Sequence, residues 1–143
     1  MKDLQYYLGL LDEREATCLV LLDEKIIYES QEDRLKPLLA IISDRDLQEK
    51  VKGAVLVDRV IGKSAYGLAS TLGFSHIYTP LYSAKAREIE VEGSPQVTFE
   101  TEVPHICNNA GDGWCPMENL VKDAETVDET VELLFEKIGI RPA

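Results

Sequence analysis

Three strand-like segments separated by helical ones constrain the fold of this chain more than any other feature. Residues 54–57, 76–81 and 96–103 are short runs of apolar or alternating residues, and each is joined to the next through a segment with helical character. Strands joined through helices start from the same end of a sheet and lie parallel. The sequence therefore predicts three mutually parallel strands.

A β-hairpin is predicted before these strands. Residues 16–22 (ATCLVLL) and 25–30 (KIIYES) are rich in β-forming residues, and only Asp23 and Glu24 separate the two runs. A connection as short as this joins antiparallel strands, because a parallel crossover needs a much longer segment.

Helices are predicted to cover the sheet on both faces. Apolar residues recur at three- and four-residue spacing in residues 2–13 and 35–42, and Thr126 with Glu129 forms a capping box for a last helix. We expect an α/β fold with three layers, α/β/α, and a mixed sheet of about five strands. It should form a single domain over residues 1–143.

Charge and composition exclude several classes of protein. Fifteen Lys and Arg against 26 Asp and Glu give a formal net charge of −11, which opposes binding to nucleic acid or to an anionic membrane surface. No apolar stretch approaches the roughly 20 residues of a membrane span, and the N-terminus lacks the pattern of a signal peptide. The three cysteines form no CxxC pair, so no disulfide framework is expected. We expect a cytoplasmic protein, and the sequence leaves open whether it forms a homo-oligomer.

The first candidate site follows the first parallel strand. Asp58 ends that strand, and Gly62, Lys63 and Ser64 open the next helix, at the sheet edge where α/β proteins bind ligands. A glycine admits close approach, the helix start favours an anion, and Lys63 adds positive charge. Ser83, at the equivalent end of the next strand, either binds ligand or only caps a helix. The alternative for Asp58 and Lys63 is a simple ion pair at the helix start.

The loop at residues 111–118 (GDGWCPME) is the most unusual stretch of the sequence. Cys115 falls at a helix N-cap, Pro116 at the first helical position, and Glu118 where it can close a capping box. A thiol at a helix start is a better nucleophile than a free one. The alternative is structural, with Cys115 as a small buried residue and Trp114 as a lid on the core.

Metal and cofactor motifs are missing from the sequence. His105, Cys107 and Cys115 could gather around a metal, but seven residues between the cysteines is not a zinc spacing. HExxH, GxSxG and GxGxxG are absent, and residues 58–64 lack the first glycine of a P-loop. We expect no metal and no cofactor.

Taken together, these motifs resemble the uncharacterised family catalogued as domain of unknown function 1893. The resemblance runs from about residue 3 to residue 138, and its motifs are Asp58-x-x-x-Gly62-Lys63-x-Ala65, Tyr82-Ser83-Ala84, and Asn108 through Gly113 followed by Cys115-Pro116-Met117-Glu118. It implies a cytidine-deaminase-like fold, and it carries no established activity. It also implies that Asp58, Lys63 and Ser83 lie where that fold keeps its active site.

A zinc-dependent deaminase is nevertheless not predicted. Such enzymes need a His or Cys two residues before a catalytic Glu, and then a Pro-Cys-x-x-Cys on a later helix. The helix opening at residues 62–64 has none of these residues, and residues 83–86 contain no cysteine.

Two functions from different classes follow. The first is a zinc-free enzyme for a small anionic or nucleotide-like metabolite, with Asp58, Lys63 and Cys115 as catalytic residues. Lys63 would hold an anionic or carbonyl group, Asp58 would orient Lys63 or move a proton, and Cys115 would be nucleophile or acid. The expected ligand-binding residues are Gly62, Ser64 and Ser83. The second is a ligand-sensing or assembly module without catalysis.

Overall fold

The computed structural model describes residues 2–143, which form seven helices and six strands. In chain order, the elements are α1 (Leu4–Arg14), β1 (Cys18–Leu22), β2 (Lys25–Ser30), α2 (Lys36–Ile42), α3 (Arg45–Val51), β3 (Val55–Asp58), β4 (Val60–Ile61), α4 (Lys63–Leu72), β5 (His76–Ser83), α5 (Ala84–Arg87), β6 (Gln96–Val103), α6 (Pro116–Val121) and α7 (Val127–Ile138). The predicted α/β class is confirmed.

The six strands form one mixed sheet. Its order is β2-β1-β3-β5-β4, and β6 pairs with β5 as well. β1 is antiparallel to β2 and β3. β5 is parallel to β3 and β6, as the helical connections predicted, and it is parallel to β4 as well. The hairpin turn has positive φ at both Asp23 (53°) and Glu24 (64°), which is the backbone of a two-residue turn between twisted strands.

A break in the sheet separates β3 from β4. Both strands pair with β5, so the chain leaves the sheet after β3 and rejoins the same neighbour two residues later. The Val60 N–H donates to Asp58 Oδ1 at 3.3 Å, and the Arg59 side chain donates to the Ala16 carbonyl at 2.9 Å. These bonds hold the break open at the carboxyl edge of the parallel strands.

Alternate residues of the sheet belong to two different apolar clusters. Val20 of β1 belongs to the cluster that includes α2, α4 and α7, whereas Leu19 and Leu21 belong to the cluster of α1. Because successive strand residues point to opposite faces, the helices lie on both faces of the sheet. This is compatible with the predicted three-layer arrangement. No helix in residues 2–143 is long and apolar enough to cross a membrane.

Candidate functional site

A cavity of about 610 Å³ lies at the carboxyl edge of the parallel strands. Its wall combines the break after β3, the start of α4, the end of β6, the loop before α2 and the segment from residue 104 to residue 118. The polar and reactive side chains on that wall include Arg34, Asp58, Ser64, His105, Cys107, Cys115 and Glu118. Residues distant in sequence therefore share one solvent-accessible space.

Asp58 is a buried carboxyl group in this wall, only 7% exposed. Burial raises its pKa to about 7, although the backbone N–H groups of Val60 and Arg59 and the Arg59 charge oppose the shift. A carboxyl group that titrates near neutral pH can both accept and donate a proton. Asp58 thus has the properties of a general acid or base.

Cys115 contacts the guanidinium of Arg34. It occupies the N-cap position of α6 as predicted, although its side chain makes no capping hydrogen bond. It is 8% exposed, and its Sγ lies 3.5 Å from Arg34 Nη1. The other terminal nitrogen of Arg34 donates to Asn109 Oδ1. A thiol and a positively charged group are therefore neighbours in the cavity wall.

Sequence reasoning missed Arg34. It lies in an exposed polar loop, 81 residues before Cys115, and belongs to no motif. Its φ of 55° is in the left-handed region, which is costly for a residue other than glycine and is often found at functional sites. No local pattern of residue types predicts a contact between residues so far apart in sequence.

Glu118 is 2% exposed and connects three parts of the chain. Its Oε1 accepts from the Lys63 N–H at 2.7 Å, and its Oε2 accepts from the Ile106 N–H at 3.0 Å and from the Ser83 hydroxyl. The predicted capping box within its own helix is therefore wrong. The carboxylate accepts instead from buried donors of other segments, which would be costly to leave without an acceptor. The carboxylate takes the first N–H of α4, where the sequence predicted an external anion.

Gly62 makes room for this carboxylate. A Cβ at Gly62 would lie 2.9 Å from Glu118 Oε1 and 2.9 Å from Ile106 Cγ1, which is closer than atoms can pack. The close approach predicted for Gly62 is thus made, in this structure, by a side chain of the protein. Ser64 also lines the cavity, and its hydroxyl donates to the Met117 carbonyl at 2.9 Å.

The side chain of Lys63 is directed elsewhere. It is fully buried, its Nζ donates to the carbonyls of Lys122 (3.2 Å) and Ala124, and it pairs with Glu88 at 3.8 Å. Burial lowers the pKa of Lys63. Within residues 2–143 the cavity wall includes neither Lys63 nor Ser83, which caps α5 by accepting from the Lys85 N–H. Asp58, Gly62, Ser64 and Cys115 do share the wall.

Comparison with known proteins places the chain in a family. The sequence model described as TM1506, domain of unknown function 1893, matches residues 8–138. The chain belongs to this family. A similar solved structure is the crystal structure of a domain of unknown function 1893 family protein, TM1506, from Thermotoga maritima. It is 21% identical, with a TM-score of 0.78 over 94% of this chain and 88% of that chain. At this identity the likeness shows the fold alone, and no curated protein matches.

In this member of the domain of unknown function 1893 family, the starts of α4 and α5 carry neither histidine nor cysteine. The starts of α4 and α5 carry Lys63 and Ser83, with the Glu118 carboxylate between them, instead of the imidazole and thiolate ligands that zinc needs. Across the described chain, no three His, Cys, Asp or Glu side chains gather as a metal site. These residues do not fit a zinc ion.

Proposed function

We propose that the protein is an enzyme that binds a small anionic metabolite in the cavity and attacks it with Cys115. The observation that carries this proposal is the contact of Arg34 Nη1 with Cys115 Sγ, 3.5 Å, in a cavity wall that also contains Asp58. Thiol nucleophiles are activated by a neighbouring positive charge, and a proton carrier completes the arrangement.

Arg34 is the anchor for the anionic group of the metabolite. Its planar guanidinium has five N–H donors and matches the geometry of a carboxylate or phosphate. The side chain is exposed, and its contacts with Asn109 and Cys115 hold it against the cavity. An anion bound there lies next to the sulfur, so the same residue positions the substrate and activates the nucleophile.

The chemistry pairs Cys115 with Asp58. The Cys115 thiol gives its proton to solvent, and the sulfur adds to an electrophilic carbonyl carbon of the metabolite. A C–S bond forms, the C=O π bond breaks, and its electron pair moves to oxygen. The acid form of Asp58 supplies the proton to that oxygen, which requires a carboxyl group that is still protonated near neutral pH.

A binding module without catalysis is the second candidate, and the burial of Cys115 favours it. Because Cys115 is only 8% exposed, little of its sulfur is accessible to a metabolite. In that case, the cavity binds the same anion and Cys115 only begins α6.

Alkylation by iodoacetamide at pH 7 separates the two candidates. The protein carries Cys107→Ser, which removes the exposed thiol, and modification of Cys115 is followed by peptide mass spectrometry. We expect Cys115 to react faster than free N-acetylcysteine, and we expect inorganic phosphate to slow the reaction. Arg34→Gln should slow it about tenfold, because it removes one hydrogen bond from a charged group. Arg45→Gln, at an exposed arginine, is the matched control.

Each proposal has its own contrary result. If Cys115 stays unmodified while N-acetylcysteine is consumed, the nucleophile proposal is wrong and the binding module is favoured. If phosphate gives no protection and shows no binding by calorimetry, the role of Arg34 as an anion anchor is wrong.

A further inference from the structure

The rings of His105 and Trp114 are stacked beside the cavity. Their centroids are 4.1 Å apart and their planes differ by 2°. His105 belongs to the cavity wall, and Trp114, the single tryptophan of the chain, is half-buried. The ammonium groups of Lys85 and Lys122 lie 5.8 Å and 5.9 Å from the centroid of the tryptophan ring. The imidazole is therefore backed by a larger ring that is itself held in place.

Backbone pairing fixes this stack. Cys107 and Trp114 form a β-bridge, the Asn108 N–H donates to the Gly113 carbonyl at 2.9 Å, and the Cys115 N–H donates to the Ile106 carbonyl at 2.8 Å. The stack therefore sits on the same short ladder as the candidate nucleophile. A ring held this way loses little freedom when a second ring packs on it, which favours binding.

We infer that His105, backed by Trp114, is a stacking platform for a planar aromatic ring carried by the metabolite. This inference rests on the proposed function, in which Arg34 binds the anionic group of the same molecule. The cavity of about 610 Å³ is large enough for both parts, since ligand pockets of about 300–1,000 Å³ are usual. Apolar side chains complete the wall around such a ring, among them Val60, Leu81, Val103 and Ile106.

The chemical class that fits is an aromatic or heteroaromatic ring joined to a phosphate or carboxylate. Aromatic stacking adds affinity for any flat π-system, and it adds none for an aliphatic phosphate. Three probes separate the contributions: adenosine 5′-monophosphate has ring and anion, adenosine has the ring alone, and ribose 5-phosphate has the anion alone. Trp114 supplies the readout, because its fluorescence responds to a change at its stacked partner.

We expect adenosine 5′-monophosphate to change the Trp114 fluorescence and to bind at least tenfold more tightly than ribose 5-phosphate by calorimetry. His105→Ala should weaken binding of adenosine 5′-monophosphate about tenfold or more and leave ribose 5-phosphate unchanged. His105→Phe should restore the difference, because it keeps a flat ring. His76→Ala is the matched control, since His76 bonds Ser75 and Gln96 outside this cavity.

Failure of the platform and failure of the proposed function give different results. Equal affinity for adenosine 5′-monophosphate and ribose 5-phosphate, or equal losses in His105→Ala, overturns the platform and leaves anion binding intact. No binding of any probe at millimolar concentration overturns the platform as well. Protection of Cys115 by inorganic phosphate then decides separately whether the proposed function stands.

Discussion

Glu118 shows how one side chain can organise several buried backbone groups. A carboxylate only accepts hydrogen bonds, and its two oxygens can take more than two of them. Here they accept from Lys63 N–H, Ile106 N–H and the Ser83 hydroxyl. Gly62 supplies the space, and the five residues form one unit in which each depends on the others.

Replacing Glu118 by glutamine should lower the free energy of unfolding by about 2–4 kcal/mol. The amide keeps one acceptor oxygen but brings an NH₂ group against buried donors, and each unsatisfied buried donor costs about 1–3 kcal/mol. Urea unfolding measures the loss, and Glu136→Gln on the exposed side of α7 is the control. If the two variants lose equally little, Glu118 does not hold these elements together.

Asp58 should make stability fall as pH rises. Its pKa is about 7 in the folded protein against 3.8 when unperturbed, so the folded state binds the proton more tightly. Protonated Asp58 contributes on the order of 4 kcal/mol to the free energy of unfolding. This contribution is complete below about pH 4 and is lost as the pH rises to about 7. Asp58→Asn removes it, so the stability of wild type relative to the variant should fall over this interval in urea titrations. Parallel pH profiles would contradict the raised pKa.

Secondary-structure elements were predicted where the signal is local. Asp23 and Glu24 between two β-forming runs gave the hairpin, and the helical connections gave the parallel strands. β4 was not predicted, because two residues carry no period and their pairing with β5 follows only from the break at Asp58. α3 was not predicted beside the helix at residues 35–42, and it begins at a cap of its own, Asp44.

Two glycines within helices should respond in opposite ways to alanine. Gly9 of α1 has nothing within 4 Å of an added Cβ, so Gly9→Ala should raise the free energy of unfolding by about 0.5–1 kcal/mol. At Gly67 of α4, the Cβ would lie 3.0 Å from Thr130 Cγ2 and 3.3 Å from Val131 Cγ1. Thr130 is held by its bond to the Thr126 carbonyl (2.8 Å), so Gly67→Ala should cost about 1–3 kcal/mol. Thermal unfolding of both variants checks this, and a stabilised Gly67→Ala would show that α4 and α7 can move apart.

The protein as a whole brings the candidate site together from segments that no local pattern connects. Asp58, Gly62, Ser64 and Cys115 were proposed from sequence and share the cavity wall. The directions of the side chains near them could not be predicted from the sequence. A helix start does not reveal that the Lys63 side chain turns to the carbonyls after α6, or that a loop arginine reaches Cys115. Side-chain direction over such distances depends on packing, which spacing does not encode.

Overall charge gives a prediction of its own. At −11, self-repulsion opposes the compact state, whereas exposed ion pairs such as Arg141–Glu132 contribute little. Raising NaCl from about 0.1 M to about 1 M shortens the screening length from about 10 Å to about 3 Å. Because this salt step screens the self-repulsion, the free energy of unfolding at pH 7 should rise by an amount on the order of 1 kcal/mol. The same salt step near pH 4.6, where the net charge vanishes, is the control, and an equal rise there would assign the effect to something other than charge.

The reach of Glu118 to the start of α4 also determines how the protein can be made. Lys63 leaves the ribosome 55 residues before its acceptor, so α4 emerges with its first N–H still waiting for a partner. The N-terminal hairpin and the parallel strands can already pair during this interval. A nascent chain halted before residue 118 lacks this carboxylate, and with it the hydrogen bond that joins the start of α4 to α6.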